Sequence, residues 1–177
     1  QFSNNAIPAG KIAEKAKLPL IAPISTNPET TKDKRYVFRV AYMDTFQGMV
    51  MAKFVRETLR LERAAVLFEV TNSYNRGLAE VFLKAFEEAG GKVVSYEEYT
   101  ADRNADFTPQ LGRIKQSRPD VLYLPNFEKD VVLQAKQSRD TGIGAILLGG
   151  DGWNPYTMGS IPDFEGAYFT HHWHEDL

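Results

Sequence analysis

Chemistry-bearing side chains in this sequence gather directly after apolar runs. Four such groups stand out: Ser25-Thr26-Asn27, Thr71-Asn72-Ser73-Tyr74, Asn126-Phe127-Glu128 and Gly150-Asp151-Gly152-Trp153. Hydroxyls and amides offer directed hydrogen bonds, aromatic rings offer walls, and Asp151 offers one carboxylate that could pair with a cation. That is a recognition surface rather than a catalytic one. Each member also has an ordinary structural reading. An aspartate between two glycines suits any tight turn, because its side chain bonds its own backbone. Tyr74 and Phe127 would serve equally as rim packing, and Trp153 is better suited to covering a sheet than to touching a ligand.

The usual catalytic constellations are missing. Without cysteine there is no disulfide, thiolate nucleophile or thiolate metal site. His171, His172 and His174 are the only histidines, and there is no G-x-S-x-G turn, so no Ser-His-Asp set can be assembled. No phosphate-binding G-x-x-x-x-G-K-[ST] loop exists; Gly142-Ile143-Gly144 precedes an apolar run and lacks the third glycine of a dinucleotide fingerprint. A phosphoacceptor receiver would need an aspartate after its third strand, and none immediately follows the run ending at Pro125. His172 and His174 flank Trp173 on one side of an extended segment, with Glu175 nearby, so two imidazoles could converge on a transition metal. No third ligand is identifiable, and a frayed end is the simpler reading. An enzyme is not expected, nor a cofactor or metal.

Composition narrows the partners. The 177 residues carry 21 Lys plus Arg against 23 Asp plus Glu, a net charge of −2, so no summed positive field would hold nucleic acid. LPLIAPI (18–24) and AAVLF (64–68) are the longest apolar stretches, far short of the ~20 residues that span a bilayer. The chain opens on Gln1, as a processed or excised piece would.

The elements that must position these groups can be read from periodicity. Strands are predicted near 18–24, 36–41, 64–70, 92–96, 120–125, 145–149 and 166–170. The starts at Tyr36, Ala64, Lys92 and Asp120 are 28 residues apart, the length of a strand, a crossover helix and their loops. Between them, Asp44 with Gln47 resembles a capping box ahead of Val50, Met51, Phe54, Val55 and Leu59. Leu78, Val81, Phe82, Ala85 and Ala89 stripe a helix over 77–89 that Gly90-Gly91 closes. Thr108-Pro109 opens another helix that Pro119 stops, and a fourth covers 129–140. Strands apolar on both faces and joined by such crossovers predict an α/β fold, a doubly wound parallel sheet sandwiched by helices. Residues 1–35 offer only one helix (6–17) and one strand, so they read as the tail of a different sheet.

In order, LPLIAPISTNPETT, YVFRVAYMDTFQG, Tyr74 to Ala79, GGDGWN and EGAYFTHHW resemble the leucine/isoleucine/valine-binding family of type I periplasmic binding proteins over essentially the whole chain. The resemblance implies two α/β lobes with a ligand in the cleft between them, delivered to an ABC transporter permease. It implies 1–43 as the end of the first lobe with the hinge crossing, 44–166 as the second lobe and 167–177 as the return crossing. Family members are about twice this length, which implies a domain fragment. By position, Ser3 and Thr26 correspond to hydroxyls that hold an amino acid's α-carboxylate. Ile24 corresponds to a backbone carbonyl that receives its ammonium, and Asp151 to the acidic residue that pairs with it. Tyr74 corresponds to the tyrosine that closes over the ligand, and Asn126 or Phe127 to a further wall. The expectation is an exported, periplasmic or extracellular receptor for an amino acid or small amine or carboxylate, with a ligand-sensing domain of a signalling receptor as the alternative.

Overall fold

The structure, a computed structural model, describes residues 2–101 and 106–172. The chain runs α1 (Ser3–Ala16), β1 (Leu20–Ala22), β2 (Val37–Arg39), α2 (Asp44–Lys53), β3 (Arg63–Glu69), α3 (Ser73–Glu88), β4 (Lys92–Tyr99), α4 (Thr108–Ser117), β5 (Val121–Leu124), α5 (Glu128–Thr141), β6 (Ile146–Gly149), α6 (Pro155–Met158) and β7 (Tyr168–Phe169). The alternating pattern of strand and helix is the α/β arrangement expected from the apolar rhythm. Most strands are shorter than their apolar runs, because a run continues past the last ladder bond into the loop that follows.

Successive residues of a strand point to opposite faces, and β3 uses both. Ala64, Val66 and Phe68 join Met51, Ala52 and Val55 with Leu78, Phe82 and Phe86 in one core cluster. Ala65 and Leu67 join Leu111, Ile114, Val131 and Ala135 in the other. Helices α2 and α3 therefore cover one face and α4 and α5 the other. The contact between α2 and α3 is close enough that a Cβ on Gly48 would lie 2.7 Å from Val81 Cγ1. Gly90, with φ of +79°, supplies the left-handed turn between α3 and β4 that the paired glycines promised.

Among the described residues the main sheet has order β4-β3-β5-β6-β7, every pair parallel. From β3 the chain first goes outward to β4, then returns to the other side for β5. That reversal is the switch point of an open α/β sheet, and the crevice beyond its carboxyl ends is where such folds bind ligands.

One expectation fails here. The equal spacing from Tyr36 suggested that its strand begins the same sheet as the next three, yet β2 pairs with β1 in a separate two-stranded parallel sheet, Leu20 opposite Val37. Spacing measures how much chain a crossover needs and says nothing of the partner. The Arg39 guanidinium donates to the carbonyls of Thr26 and Asn27, at 3.3 and 2.9 Å, which ties β2 to the loop after β1. Two helix starts also differ. The carboxylate of Asp44 caps no backbone N–H; Asp44 lies inside the first turn of α2, whose N-cap is Met43. Helix α3 begins four residues before its predicted start at 77, capped by the Asn72 side chain on the Tyr74 N–H. Tyr74 thus sits in a helix's first turn rather than in a loop.

Candidate functional site

The segments after β1, β3, β5, β6 and β7 meet, together with the start of α1, around one hollow of about 260 Å³. Its lining is Phe2, Ser3, Ile24, Tyr74, Phe127, Asp151, Gly152, His171 and His172. Five of the seven site residues expected from sequence, Ser3, Ile24, Tyr74, Phe127 and Asp151, are brought together there across as many as 148 positions of chain. Loops at the carboxyl ends of adjacent parallel strands must converge, so positions remote in sequence become neighbours.

The other two lie elsewhere. The Asn126 side chain is fully buried. It accepts from Glu69 N–H (3.1 Å) and Asn75 Nδ2 (2.8 Å) and donates to Leu67 O and Gln134 Oε1. Every bond it can make is spent on tying β3 and β5 to α3 and α5, and the side chain that lines the hollow at this corner is that of Phe127. Thr26 is 1% exposed and is not part of the lining; its carbonyl accepts from the Asp44 N–H at 2.9 Å.

At the centre Asp151 is held from three directions, with its side chain only 9% exposed. Oδ1 accepts from Gln47 Nε2 at 2.8 Å and from the Tyr74 hydroxyl at 2.9 Å. Oδ2 lies 2.9 Å from His172 Nε2. The Tyr74 hydroxyl in turn accepts from Gly152 N–H at 3.0 Å. Burial, and then the negative charge of Asp151, raise the Tyr74 pKa well above the usual phenol value, so Tyr74 stays a donor. Gln47 is the hinge pin of this arrangement. Its Nε2 also donates to Asp44 Oδ1 at 2.8 Å, and its Oε1 accepts from the Thr170 hydroxyl at 2.6 Å and from Asp151 N–H at 3.3 Å. A single amide group thereby clamps both the backbone and the carboxylate of Asp151. Asp44 itself is pushed up to about 6 by burial, which outweighs the Thr26 and Gln47 hydrogen bonds that act in the opposite direction.

The opposite wall comes from α1 and the loop after β1. Ser25 Oγ donates to Ser3 Oγ at 3.1 Å and also bonds the Thr30 hydroxyl at 2.6 Å, a chain of buried hydroxyls ending at the hollow. Phe2, Phe127 and Tyr74 form an aromatic side, with ring centroids 4.6 Å apart for the first pair and 5.0 Å for the second. Across the mouth, Asn27 Nδ2 donates to Ser73 O and Ser73 N–H to Asn4 Oδ1, both at 2.7 Å. Trp153 takes no part. It is buried, and its indole N–H bonds Leu124 O at 3.1 Å.

Sequence reasoning missed Gln47, Phe2 and the site position of His172. The sequence pattern reads Gln47 as part of a capping motif, although Asp44 and Gln47 three apart place two polar groups on one helical face. It offers His172 only as a metal ligand with His174, which lies outside the described residues. Among the described residues no cluster of three or more His, Asp or Glu could hold a metal ion. A larger hollow, about 360 Å³, adjoins on the far side of Gln47 and is walled by Tyr42, Phe46, Val50, Met51, Phe54, Tyr168 and Phe169. Its lining also holds Gln47, Thr170 and His171, the first two bonded to each other.

Comparison with known proteins points the same way. A sequence profile of the family described as periplasmic binding protein matches residues 1–177. The leucine-specific-binding protein of Salmonella typhimurium is 26% identical over 160 residues, covering 90% of this chain and 43% of that protein. A Leu/Ile/Val-binding protein homolog from Brucella abortus is 30% identical over 171 residues, covering 95% of this chain and 46% of that one. Among solved structures, a leucine-binding protein of Thermotoga maritima superposes with a TM-score of 0.90 at 31% identity, covering 99% of this chain and 50% of that chain. A branched-chain amino acid transporter substrate-binding protein of Streptococcus pneumoniae, solved in complex with isoleucine, superposes with a TM-score of 0.74 at 30% identity over 85% of this chain and 42% of that one. The chain spans about half the length of these relatives.

Proposed function

The chain belongs to the periplasmic binding protein family, and we propose that it forms part of an ABC transporter's substrate-binding component, taking a branched-chain or similar amino acid between two lobes. In this reading residues 1–43 belong to one lobe, 44–166 to the other, and 167–177 begin the return crossing. The protein acts outside the cytoplasmic membrane, presents its ligand to a permease and catalyses no reaction. Among the described residues no helix is long and apolar enough to cross a membrane.

The observation that carries the reading is the convergence of Ser3, Tyr74 and Asp151 on one hollow from both sides of the cleft. A zwitterion entering such a site loses hydration at each end, and each charge needs a fixed opposite partner. Asp151 answers the ammonium and the Ser3 hydroxyl the carboxylate. Phe2, Phe127, Tyr74 and Ile24 receive an apolar side chain. Hydrogen bonds to charged groups contribute about 1.5–3 kcal/mol each, so three or four would carry most of the roughly 8 kcal/mol of a micromolar complex. About 260 Å³ falls below the ~300 Å³ at which drug-sized pockets begin, which suits a single small metabolite. Because Ser3 and Asp151 lie in different lobes in this reading, ligand binding favours their closed arrangement.

Titration calorimetry on the longest natural polypeptide that contains this sequence tests it. Saturable binding of leucine, isoleucine or valine is expected, weakened at least tenfold by Asp151→Asn. No saturable heat with any of the twenty amino acids would end the proposal.

A further inference from the structure

His172 carries an observation that the amino-acid reading leaves unused. Its Nε2 sits 2.9 Å from Asp151 Oδ2, its ring lies against Tyr42 with centroids 4.0 Å apart, and its side chain is 29% exposed. It also lines the hollow into which the guest must come. The Asp151 carboxylate is therefore already engaged by a basic group of the protein's own.

The geometry of the two oxygens makes this a conflict. Oδ1 accepts from Gln47 and Tyr74, which uses both of its lone-pair directions. An ammonium can reach only Oδ2, whose remaining lone-pair direction lies beside the imidazole. A charged ring and an ammonium on one oxygen repel, whereas a neutral ring or a displaced one removes that repulsion. We propose that His172 is an internal competitor for the ligand's ammonium at Asp151, so that binding of an amine-bearing guest is coupled to loss of a proton from His172. The inference rests on the amino-acid reading of the site. Either the ring gives up its proton in place or it swings off Asp151; in both cases the 2.9 Å contact between the imidazole and Oδ2 is the one the ammonium contests. The titratable groups around it, among the described residues, are Asp151 after β6, Asp44 on α2, Tyr42 before α2, Tyr74 on α3 and the adjacent His171, whose ring centroid is 6.3 Å away. Of these, Asp151 makes the direct contact with the His172 ring nitrogen. The consequence is a receptor that holds its ligand more weakly in acid, over the pH range in which imidazoles charge.

The test is calorimetry of the longest natural polypeptide containing this sequence with L-leucine, L-isoleucine and L-valine, each at pH 6 and pH 8. Two buffers of different ionisation enthalpy report the protons released. The wild type should release protons on binding at pH 6, and its affinity should fall by up to tenfold per pH unit on the acid side. His172→Gln should abolish the release at pH 6 and bind severalfold more tightly there, with the advantage gone by pH 8. His172→Phe, which keeps a ring against Tyr42 and has no titrating nitrogen, should behave alike and covers the case in which the glutamine variant misfolds. Equal proton release from wild type and both variants, or equal pH profiles, would overturn the inference while leaving the amino-acid reading intact. Absence of binding by wild type and variants at both pH values would overturn the two together.

Discussion

Replacing Asp44 by asparagine should make the protein more stable, and the gain should depend on pH in a way the structure specifies. Asp44 is fully buried. Burial pushes it up to about 6 from an ordinary 3.8, chiefly by desolvation, with the Thr26 and Gln47 hydrogen bonds insufficient to compensate. A carboxyl with a raised folded-state pKa keeps its proton in the folded protein after the unfolded chain has released it. Stability from this group is thus fully present below about pH 4, declines through the interval and is lost above about pH 6. At about 1.4 kcal/mol per pH unit, the cost of carrying the ionised group at neutral pH is about 3 kcal/mol. Asparagine preserves the shape and keeps an oxygen for the Gln47 amide, which donates at 2.8 Å, while removing the buried charge. Urea unfolding of wild type and Asp44→Asn at half-unit steps from pH 4 to pH 8 reads the difference directly. The two proteins should be nearly equal at pH 4, and the variant should gain up to about 3 kcal/mol by pH 7. A difference independent of pH, or a wild type that gains on the variant as pH rises, would refute the claim that an unrelieved buried carboxylate shares the Gln47 amide with Asp151.

Asn126→Ala should lower the urea midpoint by an amount equivalent to about 2–4 kcal/mol, because three buried hydrogen bonds and one part-buried one lose their partner at once. Phe127→Ala should instead act mainly on affinity, measured by calorimetry with leucine, because its ring lines the hollow; a binding defect from Asn126→Ala at unchanged stability would reverse these assignments. Gly149→Ala should destabilise the fold by about 1–3 kcal/mol in the same urea assay. Its added Cβ would fall 2.1 Å from Trp153 Cε2, and that buried ring cannot retreat without breaking the indole bond to Leu124 O.

What the amino-acid sequence determined by itself is the architecture of 64–149. Ala64 to Phe68, Val121 to Leu124 and Ile146 to Gly149 are apolar at consecutive positions, which only a strand covered on both faces can bury. Turn and cap residues such as Gly90 and Gly142 mark where the intervening helices stop. These signals are local, acting through backbone preference and the side on which a residue falls, and so they survive in a linear reading. The site was legible to the extent that it follows from topology: once the strands are parallel, the residues after their ends must meet, which picks out the loops that hold Tyr74, Phe127 and Asp151, while the choice among the residues of each loop came from the family resemblance.

Only the tertiary structure assigned partners. Gln47 and Asp151 are 104 positions apart, and nothing in the neighbourhood of Gln47 signals that its amide will hold a carboxylate rather than cap its own helix. A one-residue turn at the end of β5 sends the Asn126 amide inward to the backbone of β3 and leaves the Phe127 ring in the hollow. The strand at Val37–Arg39 keeps the rhythm of the large sheet and yet pairs with Leu20–Ala22, because hydrogen-bond partners are chosen by where packed layers bring edges together. His172 likewise became a neighbour of Asp151 through the placement of β7 at the sheet's edge, beside β6. Periodicity reports which way a residue faces; what it faces depends on the packing of elements far away along the chain.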